Sequence, residues 1–456
     1  MINKNVEILH TLLERNDLKA LREELVKLSV VDIADFICNI DEDKTLVVFR
    51  ILPKDISADV FSYMEHEQQE QIISLISTKE ISAIMQDLFI DDAVSFLEEM
   101  PSEVVTKVLA ATDKVSRDKI NEFLRYPEDS GGRTMTAEFV SIDENITVGE
   151  ALKIARKTVL DKETVYNLYV VSNARKLLGR VPLRTILANS DTTKIKDIMR
   201  PAVFAYTTDD QESIAEKIRK YDLLSIPIVD SSDRLCGIVT VDDAIDILTE
   251  EATEDVEKMS ALKPTDRPYL KSNVFFLSRN RILWLLGLMV AAIFTSIVMQ
   301  GFEDILVTVI PLAFFIPMLI DTGGSAGSQS SALIIRGLAT GELRAHHWFK
   351  IMWKEVKVAL ICGVVLAIAN FGITAAREQI WGGLSTTEHS VYVIATIVSL
   401  TLIAVVLLAK IVGGLLPLLA KTIKIDPAVM SAPVITTIVD IFGLLIYFTI
   451  ASAIIL

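Results

Sequence analysis

An apolar stretch between Pro311 and Ala339 carries many small and polar residues. Its sequence, PLAFFIPMLIDTGGSAGSQSSALIIRGLA, contains an acid, an amide, several serines and a set of glycines: Asp321, Gln329, Gly323, Gly324 and Gly327. Small residues let helix backbones approach closely, and polar groups at membrane depth rarely face lipid. We therefore predict that Gly323, Gly324, Gly327 and Gln329 line a path for a polar solute. Helix packing through the glycines alone is the alternative.

A second acid lies inside an apolar segment, PVITTIVDIFGLLIYF. Asp440 follows Pro433 by seven residues, which corresponds to about 10 Å along a helix. An ionised carboxylate at that depth must face a wet cavity or a cation, because burial in lipid costs several kcal/mol. Oxygen ligands without soft sulfur favour ions such as Mg²⁺ or Ca²⁺ over copper or zinc. A protonated or internally hydrogen-bonded Asp440 is the alternative.

Five segments are long and apolar enough to cross a bilayer. They are Ile282–Gln300, Leu306–Ile335, Trp353–Ala376, Val391–Leu419 and Pro433–Leu456. The loops after the second and fourth segments are basic, with Arg336, Arg344, Lys350, Lys354, Lys357, Lys421 and Lys424. The loops after the first and third hold Glu303, Asp304, Glu378 and Glu388 with Arg377 as their base. Because basic loops stay in the cytoplasm, we expect a cytoplasmic N-terminus and an outside C-terminus.

Charge divides the chain into two parts. Residues 1–273 carry 34 Lys and Arg against 51 Asp and Glu, whereas the remaining residues carry 11 against 9. The acidic first part argues against nucleic acid as a partner, since nucleic acid attracts basic surfaces. Cys38, Cys236 and Cys362 have no paired spacing, so they indicate neither a disulfide framework nor a Cys metal site. The five histidines form no catalytic or metal pattern, and no G-x-x-x-x-G-K-[ST] motif is present, so we predict neither an enzyme nor a pump.

The soluble part contains two kinds of sequence. Residues 1–125 have apolar positions at helical spacing, with Pro53 and Pro101 separating short amphipathic blocks. Asp91 and Asp92 lie in one such block, LFIDDAVSFLEEM, where a charged helix surface explains them by itself. From about Arg133 the pattern changes to short strands alternating with helices.

An internal repeat occupies this second region. NLYVVSNARKLLGRVPLRTIL matches SIPIVDSSDRLCGIVTVDDAIDIL, with Gly179 and Gly237 at equivalent places. The repeat resembles a tandem cystathionine-β-synthase (CBS) domain. Thr240 and Asp243 match that family's T-x-x-D motif, which in many CBS pairs contacts a nucleotide ribose. Because the first repeat has Pro182 and Arg184 at the corresponding places, the resemblance allows one nucleotide site at most, with ATP as its ligand.

A run of acids follows the repeat, in DDAIDILTEEATEDVEKM. On a helix, Asp243, Asp246 and Glu250 share a face, as do Glu251, Glu254 and Asp255. Like charges at these spacings repel unless a counterion is present. The segment is therefore suited to a lever ahead of the membrane part, although a solvated connector also tolerates this composition.

The order of these pieces resembles the MgtE family of magnesium channels and transporters over essentially the whole chain. It includes the YPEDSGGRTMT junction, the CBS pair, EEATED, GGSAGSQS and PVITTIVD. The resemblance implies a multidomain membrane protein with an all-α superhelical N-domain at residues 1–128 and an α/β tandem CBS domain at 129–247. A connecting (plug) helix at 248–274 and a transmembrane domain of five helices at 275–456 would follow.

The resemblance also implies roles for single residues. The pore acid of the family falls on Asp440, and the acid at the inner pore end falls on Asp426. Regulatory Mg²⁺ ligands fall on acids of the N-domain, CBS pair and connector: Asp91, Asp92, Asp210, Glu212, Asp222, Asp243, Asp246, Glu251, Glu254 and Asp255. Ser325 and Ser328 stand where the family commonly has Asn.

The function implied is Mg²⁺ influx by a homodimer in the lipid bilayer of the cell inner (plasma) membrane. Cytosolic Mg²⁺ bound to the acids would close the pore, and a fall in Mg²⁺ would let the carboxylates repel and release it. Two alternatives stay open. One is a membrane-bound sensor of Mg²⁺ or nucleotide without transport, and the other is a broader divalent cation transporter that also takes Co²⁺, Ni²⁺ or Mn²⁺.

Overall fold

A computed structural model describes residues 2–265, 269, 272–385, 390–430 and 432–455. Contacts divide the chain into two compact units, Met1–Thr249 and Glu250–Leu456. Glu388 of the predicted loop after the third span and Leu456 at the end of the predicted fifth span lie outside the described residues.

The first unit begins with ten short helices. They are α1 (Ile2–Glu14), α2 (Leu18–Leu25), α3 (Val30–Cys38), α4 (Glu42–Ile51), α5 (Lys54–Ser62), α6 (His66–Leu75), α7 (Thr78–Asp87), α8 (Ile90–Glu98), α9 (Ser102–Ala111) and α10 (Lys114–Phe123). Local signals explain several of the helix starts. Ser77 and Glu80 form a capping box at α7, and Pro53 and Pro101 precede the first residues of α5 and α9. The predicted helical N-domain is confirmed.

The tandem repeat follows as two similar three-stranded sheets. Its elements are α11 (Gly131–Thr134), β1 (Ser141–Asp143), α12 (Val148–Thr158), β2 (Asn167–Val171), β3 (Leu177–Pro182), α13 (Leu183–Ala188), α14 (Ile195–Ile198), β4 (Ala205–Tyr206), α15 (Gln211–Lys220), β5 (Ser225–Val229) and β6 (Leu235–Thr240). In each sheet the first pair of strands is parallel and the second antiparallel, with a register shift at the same place. The predicted repeat is therefore a structural repeat.

Gly179 and Gly237 have the same task in the two sheets. A Cβ on Gly179 would lie 2.5 Å from the carbonyl oxygen of Arg200, and a Cβ on Gly237 would lie 2.7 Å from that of Thr136. Each glycine lets a neighbouring backbone segment cross close to the sheet. Buried residues of the second sheet, such as Ile226 and Ile228, share one hydrophobic core with the N-domain helices.

Helix α16 (Val241–Met259) carries the acidic run. It begins directly after β6, before the predicted connector start at residue 248, and it ends well before residue 274. Ala261 adopts a left-handed φ of 57°, the Leu262 N–H donates to the Glu257 carbonyl, and Pro264 follows. Left-handed backbone followed by proline is a common helix stop, which accounts for the earlier end.

The second unit contains five helices long and apolar enough to span a membrane, among the residues described. Its elements are α17 (Val274–Gly301), α18 (Glu303–Thr308), α19 (Ile316–Ala339), α20 (Trp348–Trp381), α21 (Val391–Thr422) and α22 (Ala432–Ile455). The family-level fold and the number of spans are confirmed.

Two details of the spans differ from expectation. The predicted second span, Leu306–Ile335, is broken into α18, a 3₁₀ segment at Ile310–Phe315 and then α19. Pro311 lies at the start of the 3₁₀ segment and Pro317 in the first turn of α19, and proline is tolerated at helix starts but not in their interiors. Lys350, Lys354 and Lys357, assigned to a loop, lie within α20.

Candidate functional site

Acidic side chains from distant parts of the first unit lie close together. Asp91 and Asp92 occupy the first turn of α8, Asp243 occupies the first turn of α16, and Glu163 follows a 3₁₀ turn at Val159–Asp161. Asp91, Asp92 and Glu163 each experience the negative charge of other members of this set. Asp243 experiences the charge of its helix neighbours Asp242 and Asp246. Within the described part of the chain, none of the four forms an ion pair with Lys or Arg. We call these four residues the acidic cluster.

Burial and mutual repulsion both raise the pKa values of the acidic cluster. Burial is the largest cause for each of the four groups. It raises the pKa of Asp92 to about 6, with Asp243 and Asp59 adding to the effect, and the pKa of Glu163 to about 7, with Asp243 and Asp92 adding. The pKa of Asp91 rises well above its usual range. Such shifts show carboxylates that lack a counterion.

The donor chemistry of the acidic cluster suits a hard divalent cation. All of its ligand atoms are carboxylate oxygens, which Mg²⁺ and Ca²⁺ prefer. The Asp91 Oδ1 atom is buried and, within the described part of the chain, has no hydrogen-bond partner. Among the residues described, however, no three His, Cys, Asp or Glu side chains converge into a ready-made metal site. The acidic cluster therefore fits a hydrated ion that the carboxylates approach from several sides better than an all-protein cage.

The T-x-x-D motif, Thr240 to Asp243, shares Asp243 with the acidic cluster. The Thr240 hydroxyl donates to Asp243 Oδ2 at 2.5 Å, and the Thr240 N–H donates to the same oxygen at 3.3 Å. Hydrogen bonds from Thr240 partly offset the burial that raises the pKa of Asp243. One carboxylate thus serves the candidate nucleotide motif and the acidic cluster together.

The other predicted ligands of the first unit lie apart from that cluster or at its edge. Asp210 caps α15 by accepting from the Glu212 N–H at 3.0 Å. Asp222 is exposed and has a left-handed φ of 50°. Asp246 is exposed one turn after Asp243 and adds to the negative charge there. A ligand role for Asp210, Glu212 and Asp222 stays a prediction.

Connector acids of the second unit surround an ammonium group. Lys258 Nζ lies 2.8 Å from Glu254 Oε1 and 2.7 Å from Asp426 Oδ2. Burial alone would lower the pKa of Lys258, but its contacts with Asp426 and Glu254 raise it above its usual value. Burial and the charge of Asp426 raise the pKa of Asp255. Glu254, Asp255 and Asp426, all predicted as ligands, therefore lie around one cation, and Glu251 lies one turn before Glu254.

Helix α19 presents two faces. A Cβ on Gly323, Gly324 or Gly327 would lie 2.6–2.7 Å from Val405, Thr436 or Ile435, and a Cβ on Gly413 would overlap the Gly327 carbonyl oxygen. The glycines are thus occupied in packing α19 against α21 and α22, the alternative left open above. Asp321, Ser325 and Gln329 follow one another at intervals of four residues and are exposed. A pore-lining role for the predicted motif stays a prediction, and Asp321 and Ser325 share the exposed face with Gln329.

Asp440 lies in α22, and among the residues that the structure describes no Lys or Arg forms an ion pair with it. Its Oδ1 atom is buried and has no hydrogen-bond partner among the same residues. One turn earlier, Thr436 and Thr437 donate to the Pro433 carbonyl at 3.0 and 2.9 Å, so their hydroxyls are satisfied by their own helix. The internally hydrogen-bonded alternative for the Asp440 carboxylate is therefore not supported for Oδ1.

A second polar contact lies among the spanning helices. The Ser330 hydroxyl of α19 donates to Glu355 Oε2 of α20 at 2.6 Å, and Lys410 Nζ of α21 donates to Ser330 Oγ at 3.3 Å. Lys410 is 6% exposed. We call these three residues the polar triad. A hydroxyl between the two opposite charges satisfies part of their hydrogen bonding in a region where unsatisfied charge is costly.

Sequence reasoning missed several of these residues. Glu163 and Asp59 are remote in sequence from the acids that they approach, and no spacing rule could have found them. Lys258 was overlooked because it is a single base after the eight acids of residues 242–257. Lys410 had a visible signal, a single Lys inside the apolar run AVVLLAKIVGG, and a charged residue within a span is a functional candidate by default.

Comparison with known proteins agrees with this architecture. The family model for the MgtE divalent cation transporter matches residues 316–450, that of the MgtE intracellular N domain matches 28–129, and CBS domains match 132–191 and 195–250. A relative named magnesium transporter MgtE, from Thermus thermophilus, is 34% identical over 443 residues and 96% of both chains. The chain belongs to the MgtE family.

Further relatives cover the same extent or the cytosolic part. The magnesium transporter MgtE of Bacillus subtilis is 31% identical over 97% of this chain and 95% of its own. The solved cytosolic domain of the Mg²⁺ channel MgtE in complex with ATP is 32% identical, covers 53% of this chain and 99% of that one, and has a TM-score of 0.51. The crystal structure of the soluble part of a magnesium transporter has a TM-score of 0.52 at 30% identity and covers 55% of this chain and all of that one.

Proposed function

We propose that this chain carries Mg²⁺ into the cytoplasm through its membrane unit, down the electrochemical gradient. Asp440 is the observation that carries the proposal. Its carboxylate lies within a spanning helix, one oxygen is buried without a partner, and no base forms an ion pair with it in the described residues. A carboxylate in that setting is stabilised by a cation passing beside it. A membrane potential of 100 mV supplies about 4.6 kcal/mol per divalent ion.

The path itself is formed, in our proposal, between two copies of the chain in the plasma membrane. Asp321, Ser325 and Gln329 make a polar exposed face on the spanning helix α19. Polar groups at membrane depth face protein or water in preference to lipid. Pairing of this face with its counterpart in a second copy gives a polar lining without exposing it to acyl chains. The N-terminus then lies in the cytoplasm and the C-terminus outside, following the basic loops.

Cytosolic Mg²⁺ closes the path in this proposal. The carboxylates of the acidic cluster raise one another's pKa values, so they repel while no cation is held between them. Bound Mg²⁺ supplies the missing positive charge, and Asp91, Asp92, Glu163 and Asp243 would hold it. A ligand that prefers the compact arrangement shifts the population toward it. The Lys258 ammonium between Glu254 and Asp426 supports the idea that the inner connector acids also hold a cation.

Flux measurement separates this proposal from its alternatives. The purified protein in sealed vesicles containing a Mg²⁺-sensitive dye should admit Mg²⁺ when the potential is negative inside, and Asp440→Ala should not. A protein that binds Mg²⁺ without any flux would be the sensor of the first alternative. Parallel assays with Co²⁺, Ni²⁺ and Mn²⁺ distinguish a magnesium-selective path from a broader divalent one.

ATP is a further ligand that we propose for the second CBS repeat. The Thr240 hydroxyl donates to Asp243, and the cytosolic domain of the Mg²⁺ channel MgtE, 32% identical to this chain, was solved with ATP. Calorimetric titration of the full chain with ATP, compared with Thr240→Val, tests this site. An unchanged affinity in Thr240→Val would place any nucleotide elsewhere.

A further inference from the structure

A cavity of about 580 Å³ lies in the second unit where the first spanning helix begins. Its walls come from the segment after α16, from the first part of α17 and from the turn before α22, and they include Lys263, Phe276, Arg279, Leu283, Trp284 and Val429. Most of the lining is apolar, with basic groups at the end nearer the connector. The volume lies in the range of small-molecule sites.

The α17 residues of the cavity form one stripe. Phe276, Arg279, Leu283 and Trp284 recur at intervals of three, four and one, which places them on one helix face. Arg281 does not line the cavity, because it lies roughly 200° around the helix from Arg279. None of the described residues of α17 is buried, so this helix and its cavity-lining stripe are open to the surroundings of the chain.

Unmatched donors lie along this stripe. Lys263 and Arg279 form no ion pair in the described part of the chain, whereas Lys258, which also reaches the cavity, is engaged by Glu254 and Asp426. The indole Nε1 of Trp284 is buried and has no hydrogen-bond partner among the residues that the structure describes. An unpaired buried donor costs free energy, so a ligand that offers acceptor oxygens would be favoured there.

Charge and apolarity together define the ligand. Two free cations attract an anion, but a small hydrated anion gains nothing from walls made by Phe276, Leu283 and Val429. An amphiphile with an anionic head matches both parts. Basic pockets beside spanning helices on the cytoplasmic side bind anionic head groups, and tryptophan is enriched at that level of the bilayer. Arg279 lies three residues before the start of the apolar run Ile282–Gln300, which sets the cavity at head-group depth.

We propose that this cavity binds an anionic phospholipid of the cytoplasmic leaflet. The phosphate lies on Lys263 and Arg279, the Trp284 N–H donates to a lipid oxygen, and the acyl chains follow Phe276 and Leu283. The depth assignment uses the proposed orientation of the membrane unit, but the site itself does not depend on Mg²⁺ transport. Binding is therefore measured without flux.

The test uses the full-length protein in neutral detergent. Native mass spectrometry counts retained phosphatidylglycerol, with phosphatidylcholine and inorganic phosphate as the other two probes, and thermal unfolding is followed in the same samples. We expect phosphatidylglycerol to be retained and phosphatidylcholine not. The double variant Lys263→Gln/Arg279→Gln should weaken retention at least tenfold, at about fivefold per charge, whereas Arg281→Gln should leave it unchanged.

Several results would overturn the proposal. If Arg281→Gln lost as much phosphatidylglycerol as the double variant, the lipid would bind to a diffuse basic surface and not to this cavity. If inorganic phosphate raised the unfolding temperature as much as phosphatidylglycerol, the cavity would be a site for small anions. If phosphatidylcholine were retained equally, an anionic head group would not be required. If two copies carrying Leu283→Cys formed a disulfide through that residue, the cavity would be covered by a second copy of the chain and not by a lipid. Trp284→Phe keeps the ring and removes the N–H, so a several-fold loss of retention in a variant with unchanged unfolding temperature supports the lipid contact even where the double variant fails to fold.

Discussion

In the first unit, Asp91, Asp92, Glu163 and Asp243 crowd together without a base, whereas in the second unit Asp426 and Glu355 each contact an ammonium or a hydroxyl group. The acidic cluster therefore keeps a need for positive charge that the protein itself leaves unmet. The polar triad and the Lys258 contacts meet that need internally. Uncompensated carboxylates are suited to responding to an ion from solution. Charges that are compensated within the protein are suited to holding helices together. Asp440 differs from Asp426 and Glu355, because among the described residues its buried Oδ1 atom has no hydrogen-bond partner, and its role in transport stays a prediction.

Removal of Asp440 should have the largest effect. Asp440→Ala should abolish Mg²⁺ flux in vesicles, because no other acid of α22 can stabilise the ion at that depth. Asp304→Ala, an exposed acid of α18, is the matched control and should retain flux. Gel filtration of both variants checks that they assemble alike. Normal Mg²⁺ flux through Asp440→Ala would show that Asp440 has a structural role and no role in transport.

Disruption of the polar triad should mainly affect stability. Lys410→Met removes the hydrogen bond that the Lys410 ammonium donates to Ser330 and leaves Glu355 with a single hydroxyl contact. A lost hydrogen bond to a charged group costs about 1.5–3 kcal/mol. We expect a clear fall in the thermal unfolding midpoint of the protein in detergent. Lys421→Met, at an exposed position near the end of the same helix, should change little.

The combination Lys410→Met/Glu355→Gln sharpens this result. Replacing both charged groups removes the uncompensated charge, so the double variant should be more stable than Lys410→Met alone. Additive losses in the two single variants would mean that Lys410 and Glu355 act independently.

The acidic cluster should make stability depend on pH. A pKa of about 6 for Asp92 and about 7 for Glu163 exceeds the unfolded value of about 4, so the folded state binds more protons between these values. Without divalent ions, stability present at about pH 5 should be lost as pH rises through about 6 to 7. We expect the unfolding midpoint to fall by a few degrees over that window, and millimolar Mg²⁺ to restore it.

Matched variants locate this pH dependence. Asp92→Asn removes one of the repelling charges and should flatten the curve, while Asp118→Asn makes the same chemical change at an exposed position of α10 and should not. If Mg²⁺ raised the midpoint of Asp92→Asn as much as that of the unmodified protein, the acidic cluster would not be its binding site.

Replacement of Lys258 should have the smallest effect. Lys258→Met frees Glu254 and Asp426 for Mg²⁺, so closure should need a lower internal concentration, by up to about fivefold for a partly exposed pair worth about 1 kcal/mol at most. Lys258→Arg keeps the charge and should stay close to the unmodified protein. Flux from vesicles loaded with graded Mg²⁺ measures the shift, and a need for more Mg²⁺ in Lys258→Met would make the ammonium part of the closed state instead.

The sequence alone predicted the secondary-structure elements better than the tertiary contacts between them. Five spans, the helical N-domain and the repeat with Gly179 and Gly237 follow from periodicity, length and similarity, and the structure has them. The break ahead of α19 was missed because the segment was assigned from the length of its apolar run, which does not change at the prolines where the helix is interrupted. Asp91, Asp92 and Asp243 were named singly through a resemblance, but only folding brings Glu163 to them across the chain.

The contact between Gly327 and Gly413 has a mechanical consequence. Since no Cβ fits between these backbones, α19 and α21 are locked against sliding or turning past each other, and they must travel as a single body. Any opening of a path along α19 then displaces α21 as well. Hinging is left to surfaces where side chains, not backbones, are in contact, such as the loosely covered α17. The two helices therefore move together as one rigid body. A larger residue at Gly327 or Gly413 would clash with the facing backbone and hinder that motion in both helices.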